Sequence, residues 1–170
     1  MPKIYVSENG LNKLKRNLVE TNQNLVSLRS EKALAYVAAG DNWHDNPYFN
    51  KLEQDEQRLV KKITAFQGEI SNAEIYNPEP RNTERVRLGS IVRLISRNKQ
   101  NGKESTETWE IVGFGETDVS KNHLAYNAPL GVVLLGLQQG DIKELAMPHG
   151  TMEYEIVELY PNWEAVPLKT

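Results

Sequence analysis

The chain has 170 residues, 39% of them hydrophobic, and a formal net charge of −3. That balance excludes a generally basic nucleic-acid binder. The absence of Cys excludes disulfides, thiolate catalysis and Cys-ligated zinc, and fits a reducing, cytoplasmic setting. Met1-Pro2-Lys3-Ile4 lacks the apolar core of a signal peptide, and the longest apolar run, Leu130 to Leu137, is too short to span a bilayer, so no membrane association is expected. The hydrophobic content is low for one compact globule; an elongated part with a narrow apolar seam accounts for it.

Ser7 reads as a helix N-cap, with Val6 and Leu11 placed as a hydrophobic staple. Apolar residues then recur at Leu11, Leu14, Leu18, Leu25, Leu28, Ala35 and Ala39, interrupted by Thr21 and Lys32. This spacing predicts a helix from about residue 8 to 39, roughly 45 Å long. Gly40 ends it, since Gly takes a left-handed position without steric cost. Asn46-Pro47 opens a second helix, Asn as the cap and Pro at the first turn. Phe49, Leu52, Leu59, Ile63, Phe66, Ile70 and Ala73 fill its heptad seam, with Glu56 out of pattern, and its end is expected near Asn77-Pro78. Two such helices with a short connection predict an antiparallel coiled-coil hairpin over residues 1–78, tipped by the loop 40–47. Ala33, Ala35, Ala38 and Ala39 either suit a slender tip or stand there simply as strong helix formers.

Residues 79–87 read as a polar linker after Pro78 and Pro80. The hydrophobic period then changes to two. Residues 90–95 and 106–112 read as strands around the turn Asn98 to Gly102, residues 152–159 as a last strand, and Pro129 to Leu137 as a short buried helix. Residues 88–160 therefore predict a small domain on an antiparallel sheet, giving an α+β chain, and residues 161–170 a loose tail. Lys and Arg number 10, and Asp and Glu 10, through Pro78; the remainder carries 10 and 13, so the acidic excess lies in the second domain. Arg29, Lys32, Lys51, Arg58 and Lys62 are either an ordinary solvated face or a basic track that steers RNA.

The loop Gly40 to Pro47 carries Asp41, Asp45, Trp43 and His44. Two carboxylates four residues apart are a weak Mg²⁺ site alone, but inside a site that already holds a metal they can complete a second ion's coordination. Asp45 has an alternative use as a cap or first-turn acid. Asp41 has less of one, because a helix C-terminus disfavours negative charge. Trp43 is not expected to find a core at a hairpin tip and is assigned to partner contact. Tyr48 and Phe49 are assigned to the seam, and His44 to solvent.

These motifs, in order, resemble the GreA/GreB family of bacterial transcription elongation factors. Ser7-x-x-Gly10-x-x-Lys13-Leu14 is similar to the start of the family's first helix, and Gly40-Asp41 with Asp45-Asn46 to its tip motif, Gly-Asp-Leu-x-Glu-Asn. Ser71-Asn72-Ala73-Glu74-Ile75, Leu88-Gly89-Ser90-Ile91-Val92, Ala128-Pro129-Leu130-Gly131, Leu134-Leu135-Gly136 and Gly140-Asp141 continue it, so the resemblance covers roughly residues 4 to 160. It implies a coiled-coil hairpin followed by an FKBP-like domain. It implies a monomer that docks on bacterial RNA polymerase, probes the secondary channel with the hairpin, and meets the nascent RNA 3′ end there. The tip acids, Asp41 and Asp45 here, would share Mg²⁺ with the polymerase and promote cleavage of backtracked RNA, the chain holding no cofactor alone and being no enzyme by itself. Asn127, Ala128 and Pro129 fall in the loop that resembles the family's docking loop. This tip is one residue longer than the common pattern, with Asp45 at the family's Glu and Trp43-His44 in place of an aliphatic and a polar residue. A non-cleaving regulator using the same channel is the alternative, and a peptide-binding chaperone-like module a third reading.

Overall fold

The computed structural model describes residues 2–148 and 150–167, without the side chains of Asp41 and Asn42. The elements run β1 (Ile4–Val6), α1 (Glu8–Ala39), a 3₁₀ turn (Gly40–Asp45), α2 (Pro47–Ser71), β2 (Ala73–Ile75), β3 (Ile91–Asn98), β4 (Glu104–Val112), β5 (His123–Ala125), α3 (Pro129–Leu134), β6 (Ile142–Met147) and β7 (Gly150–Tyr160). Internal contacts divide the described chain into two units, one of residues 2–4 and 11–73, the other of residues 5–10 and 74–167.

In the helical unit, Arg29 meets Glu56, Lys32 meets Glu53 and Glu56, and Tyr36 meets Phe49. Numbers rise along one helix as they fall along the other, so the pair is antiparallel, as its stripes predicted. Leu25, Ala35, Phe49, Leu52 and Ile63 are buried along the seam. Thr21, an interruption of the first stripe, is buried as well; its hydroxyl donates 2.7 Å to the Asn17 carbonyl and so keeps a partner within its own helix. α2 stops at Ser71, several residues before the expected Asn77-Pro78. The Asn72 backbone N–H and side-chain amide both donate to the Gly68 carbonyl (3.2 and 2.7 Å), and the chain then turns extended and pairs β2 with β1. That pairing ends the helix before Pro78 can.

The second unit is built on a five-stranded sheet in the order β5-β4-β3-β7-β6. β3 pairs antiparallel with β4 and β7, and β6 with β7, while β4 and β5 run parallel. The α+β class expected from the sequence is what the chain adopts, although β5 and β6 carry too little alternation to be read as strands. Val92, Leu94, Ile111, Leu134 and Ile156 are the centre of the core. α3 packs close to the sheet because Gly131 has no side chain: a Cβ there would lie 2.2 Å from the Ala125 carbonyl oxygen. Gly131→Ala is expected to destabilise the sheet unit by about 2 kcal/mol, read by thermal unfolding, since the obstructing atom is backbone and cannot swing away.

Residues 79–87 are not a free linker. Val86 is fully buried, its N–H donates to the Leu137 carbonyl (2.8 Å), and its carbonyl accepts from Gly136. The described part of the tail is also held: the Trp163 indole N–H donates 2.7 Å to Glu110 Oε2, and the other carboxylate oxygen of Glu110 takes Arg81 at 2.8 Å. Leu168 to Thr170 lie outside the described residues. At the start of α1, Ser7 Oγ accepts from the Gly10 N–H (2.9 Å), which makes it the expected N-cap. The Ser7 N–H itself donates 2.7 Å to Glu116 Oε1, an acid placed where a helix N-terminus favours one. A Cβ at Gly10 would sit 2.0 Å from that oxygen, so Gly10 makes the carboxylate's approach possible.

Candidate functional site

The turn between the helices is a six-residue 3₁₀ segment, Gly40–Asp45. Gly40 has φ +55°, the left-handed conformation expected of it. Asn46 caps α2: its Oδ1 accepts from the N–H of Tyr48 (2.9 Å) and of Phe49 (3.4 Å). The capping use considered for Asp45 therefore falls to its neighbour. Asp45 is exposed, and among the described residues nothing pairs with its carboxylate. Asp41 lies in the same turn; its side chain is outside the described residues.

Trp43 departs from its sequence expectation. It is half-buried, with its ring 5.1 Å from Phe49 and 5.6 Å from Tyr36. A small core does exist at the tip, made of Ala35, Phe49 and Leu52 with Leu28 and Trp43 against it, because Ala35 leaves room for the indole. The His44 ring lies tilted against Trp43, ring centroids 3.4 Å apart. Phe49 is buried as expected, but Tyr48 is not in the seam: it is about half exposed, and its hydroxyl donates to Glu31. That bond, first, holds the Tyr48 phenol above its ordinary value.

The basic residues are largely matched by acids. Arg29 and Lys32 both bond Glu56, at 2.7 and 3.0 Å, and Arg58 bonds Asp55 at 2.8 Å. Lys62 lies 5.6 Å over the Phe66 ring. Lys51 is exposed, and among the described residues no carboxylate pairs with it or with Lys62. Lys32 and Glu56, the charged interruptions of the two stripes, thus answer each other across the seam. Hydrogen bonds from Arg29 and then Lys32 hold Glu56 below its ordinary 4.5. The bond to Glu56, against some desolvation, holds Lys32 above its ordinary 10.5. A lowered acid stabilises the fold above its unfolded value and loses that contribution as pH falls; a raised base does the reverse. The Lys32–Glu56 contribution to hairpin stability is expected to be flat between about pH 4.5 and 10.5 and to weaken outside that window. Far-UV CD melts of wild type and of Lys32→Leu with Glu56→Leu test this: the double variant loses that part of the dependence.

In the sheet unit, Asn127 is exposed and its Oδ1 accepts 3.0 Å from the Gly115 N–H. Ala128 precedes α3 and Pro129 is its first residue, so the loop is tethered at both ends. A cavity of about 390 Å³ that the sequence did not reveal is lined by Tyr5, Val86, Leu88, Tyr126 and Leu135. Its walls come from four distant segments, which no local pattern connects. Among the described residues no helix is long and apolar enough to cross a membrane, and no group of three or more His, Cys, Asp or Glu is placed to hold a metal ion.

Residues 81–161 match the family model described as transcription elongation factor, GreA/GreB, C-terminal. A transcription elongation factor GreA of Alkalilimnicola ehrlichii is 28% identical over 160 residues, covering 94% of this chain and 98% of the relative. The chain is thus similar to GreA/GreB factors, by the family model over residues 81–161 and by the GreA relative over most of its length. A GreA of Thermosipho melanesiensis is 27% identical over 91% of this chain and 94% of its own length. Among solved structures, GreA factor homolog 1 of Thermus thermophilus matches at 22% identity and TM-score 0.42, covering 93% of this chain and 99% of that one. A GreA/GreB factor from Nitrosomonas europaea matches at 24% identity and TM-score 0.36, over 92% and 98%. The GreA/GreB model spans β3 to β7 with α3, whereas the GreA relatives extend over the hairpin as well.

Proposed function

We propose that this factor binds bacterial RNA polymerase, enters the secondary channel with its hairpin, and stimulates cleavage of backtracked RNA by the polymerase. The observation that carries the reading is Asp45: an exposed carboxylate at the tip of an antiparallel hairpin, with no partner among the described residues. Hard carboxylate oxygens suit Mg²⁺, and a lone one suits an ion that another macromolecule already holds. Such an ion would supply polarisation of the attacking water. Asp45, with Asp41 in the same turn, would serve as an added oxygen ligand, while Asn127, Ala128 and Pro129 would contact the polymerase surface.

Within this reading RNA contact is given to Lys51 and Lys62 rather than to Arg29, Lys32 and Arg58, a choice supported by the adjacent acids that offset the latter three. A channel-binding regulator without cleavage activity is the second reading, favoured by the shorter reach of Asp45 than of a Glu at that place. A stalled, backtracked elongation complex separates the two: RNA shortening on addition of the protein supports the first, slowed elongation without shortening the second.

A further inference from the structure

We propose that Trp43 is the positioning residue of the acidic tip, holding the backbone on either side of Asp45 in one conformation; this rests on the cleavage reading above. The indole ties the turn to both helices, with Tyr36 of α1 at 5.6 Å and Phe49 of α2 at 5.1 Å, the latter edge-on. Asp45 is fixed from each side by what that packing arranges. Before it, the His44 ring lies tilted against Trp43, and the His44 carbonyl accepts 3.3 Å from Asn50 Nδ2. After it, the Asn46 N–H donates 3.2 Å to the Trp43 carbonyl, while the Asn46 side chain caps α2. The Asp45 carboxylate is left with only its own side-chain torsions free. Aromatic rings in tilted and edge-on contact resist sliding more than an aliphatic residue of the same volume. A short acid reaching into another protein's site depends on that resistance, because a misplacement near 1 Å costs about 10²-fold in rate.

The test uses the full chain on backtracked elongation complexes, with Asp45→Ala, Trp43→Ala and Trp43→Phe beside wild type. Cleavage is measured at saturating factor across a Mg²⁺ titration, and polymerase affinity by competition. Amide exchange at Asn46 reports the turn itself. Trp43→Ala is expected to slow cleavage about 10²-fold, to raise the Mg²⁺ needed for half-maximal rate, and to speed exchange at Asn46, with affinity unchanged. Trp43→Phe is expected to restore most of the rate, because a ring still fills the space between Tyr36 and Phe49. If Asp45→Ala is inactive while Trp43→Ala cleaves like wild type, the positioning role is overturned and the cleavage reading stands. Affinity that falls in step with cleavage, or a Phe variant as defective as the Ala variant, also overturns it and makes Trp43 a partner contact. A wild-type protein that binds and shortens no RNA removes both.

Discussion

Replacing Asp41 and Asp45 together by Ala is expected to abolish stimulated cleavage, by about 10²-fold or more, while leaving polymerase affinity within error. The direction follows from where Asp45 sits. Its carboxylate is exposed and pairs with nothing among the described residues, so its removal leaves no buried group unsatisfied and the fold intact. What is lost is an oxygen ligand and a negative charge, both of which matter only beside a cation. Asp45→Glu adds one methylene of reach: faster cleavage would show that length limits this tip, and slower cleavage that the longer turn already compensates. A double Ala variant that still shortens RNA in backtracked complexes would remove both acids from the mechanism. Failure of wild type to shorten RNA, with slowed elongation, would move the protein to the non-cleaving reading.

Glu110→Ala is expected to destabilise the sheet unit by about 3 kcal/mol, lowering its thermal midpoint by on the order of 10 °C. Glu110 is 9% exposed and holds two groups at once, the Arg81 guanidinium at 2.8 Å and the Trp163 indole N–H at 2.7 Å. Its loss strands a guanidinium that is itself nearly buried, leaving Arg81 with the Gly89 carbonyl at 2.6 Å and a more exposed Glu79. Breaking one side of a buried ion pair costs more than the pair is worth, because the remaining charge has lost its compensation. Arg81→Leu with Glu110→Leu is therefore expected to lie much closer to wild type than Glu110→Ala does. Thermal unfolding of the three proteins, followed by Trp fluorescence, distinguishes this from simple additivity. Equal losses for the single and double variants would show that the carboxylate matters only through Trp163.

The same carboxylate shows why the ends of the sheet unit look slack in the sequence and are not. Arg81 lies in a stretch that Pro and polar residues make look like a linker, and Trp163 in one that looks like a tail. Both are held by a residue near the C-terminal end of β4, 29 and 53 positions away. Val86 belongs to the same class, since its burial depends on hydrogen bonds with Gly136 and Leu137. β5 and β6 leave no mark in the sequence for a related reason. β5 is three residues long and finds its partner in parallel with β4, while β6 is an edge strand with mostly exposed side chains, so neither shows an alternation of buried and exposed positions.

Features that depend only on neighbours a few residues away were legible from the amino acids alone. Ser7 and Asn46 are caps, and Gly40 takes the left-handed conformation, because capping and left-handed backbone are local chemistry. The stripes of α1 and α2 followed from a helical period that repeats every few residues, and the α+β class from the change to a period of two. The exposed acid at the tip was legible too, since a turn between two helices has nothing above it to bury Asp45. Tertiary structure alone decided the rest. It paired Lys32 with Glu56, turning two apparent faults in the stripes into one interaction, and it gave Trp43 a core between Tyr36 and Phe49. Both depend on the register of two helices whose contacting residues lie 13 to 27 positions apart around the turn, and register is a property of the packed pair rather than of either strand of sequence.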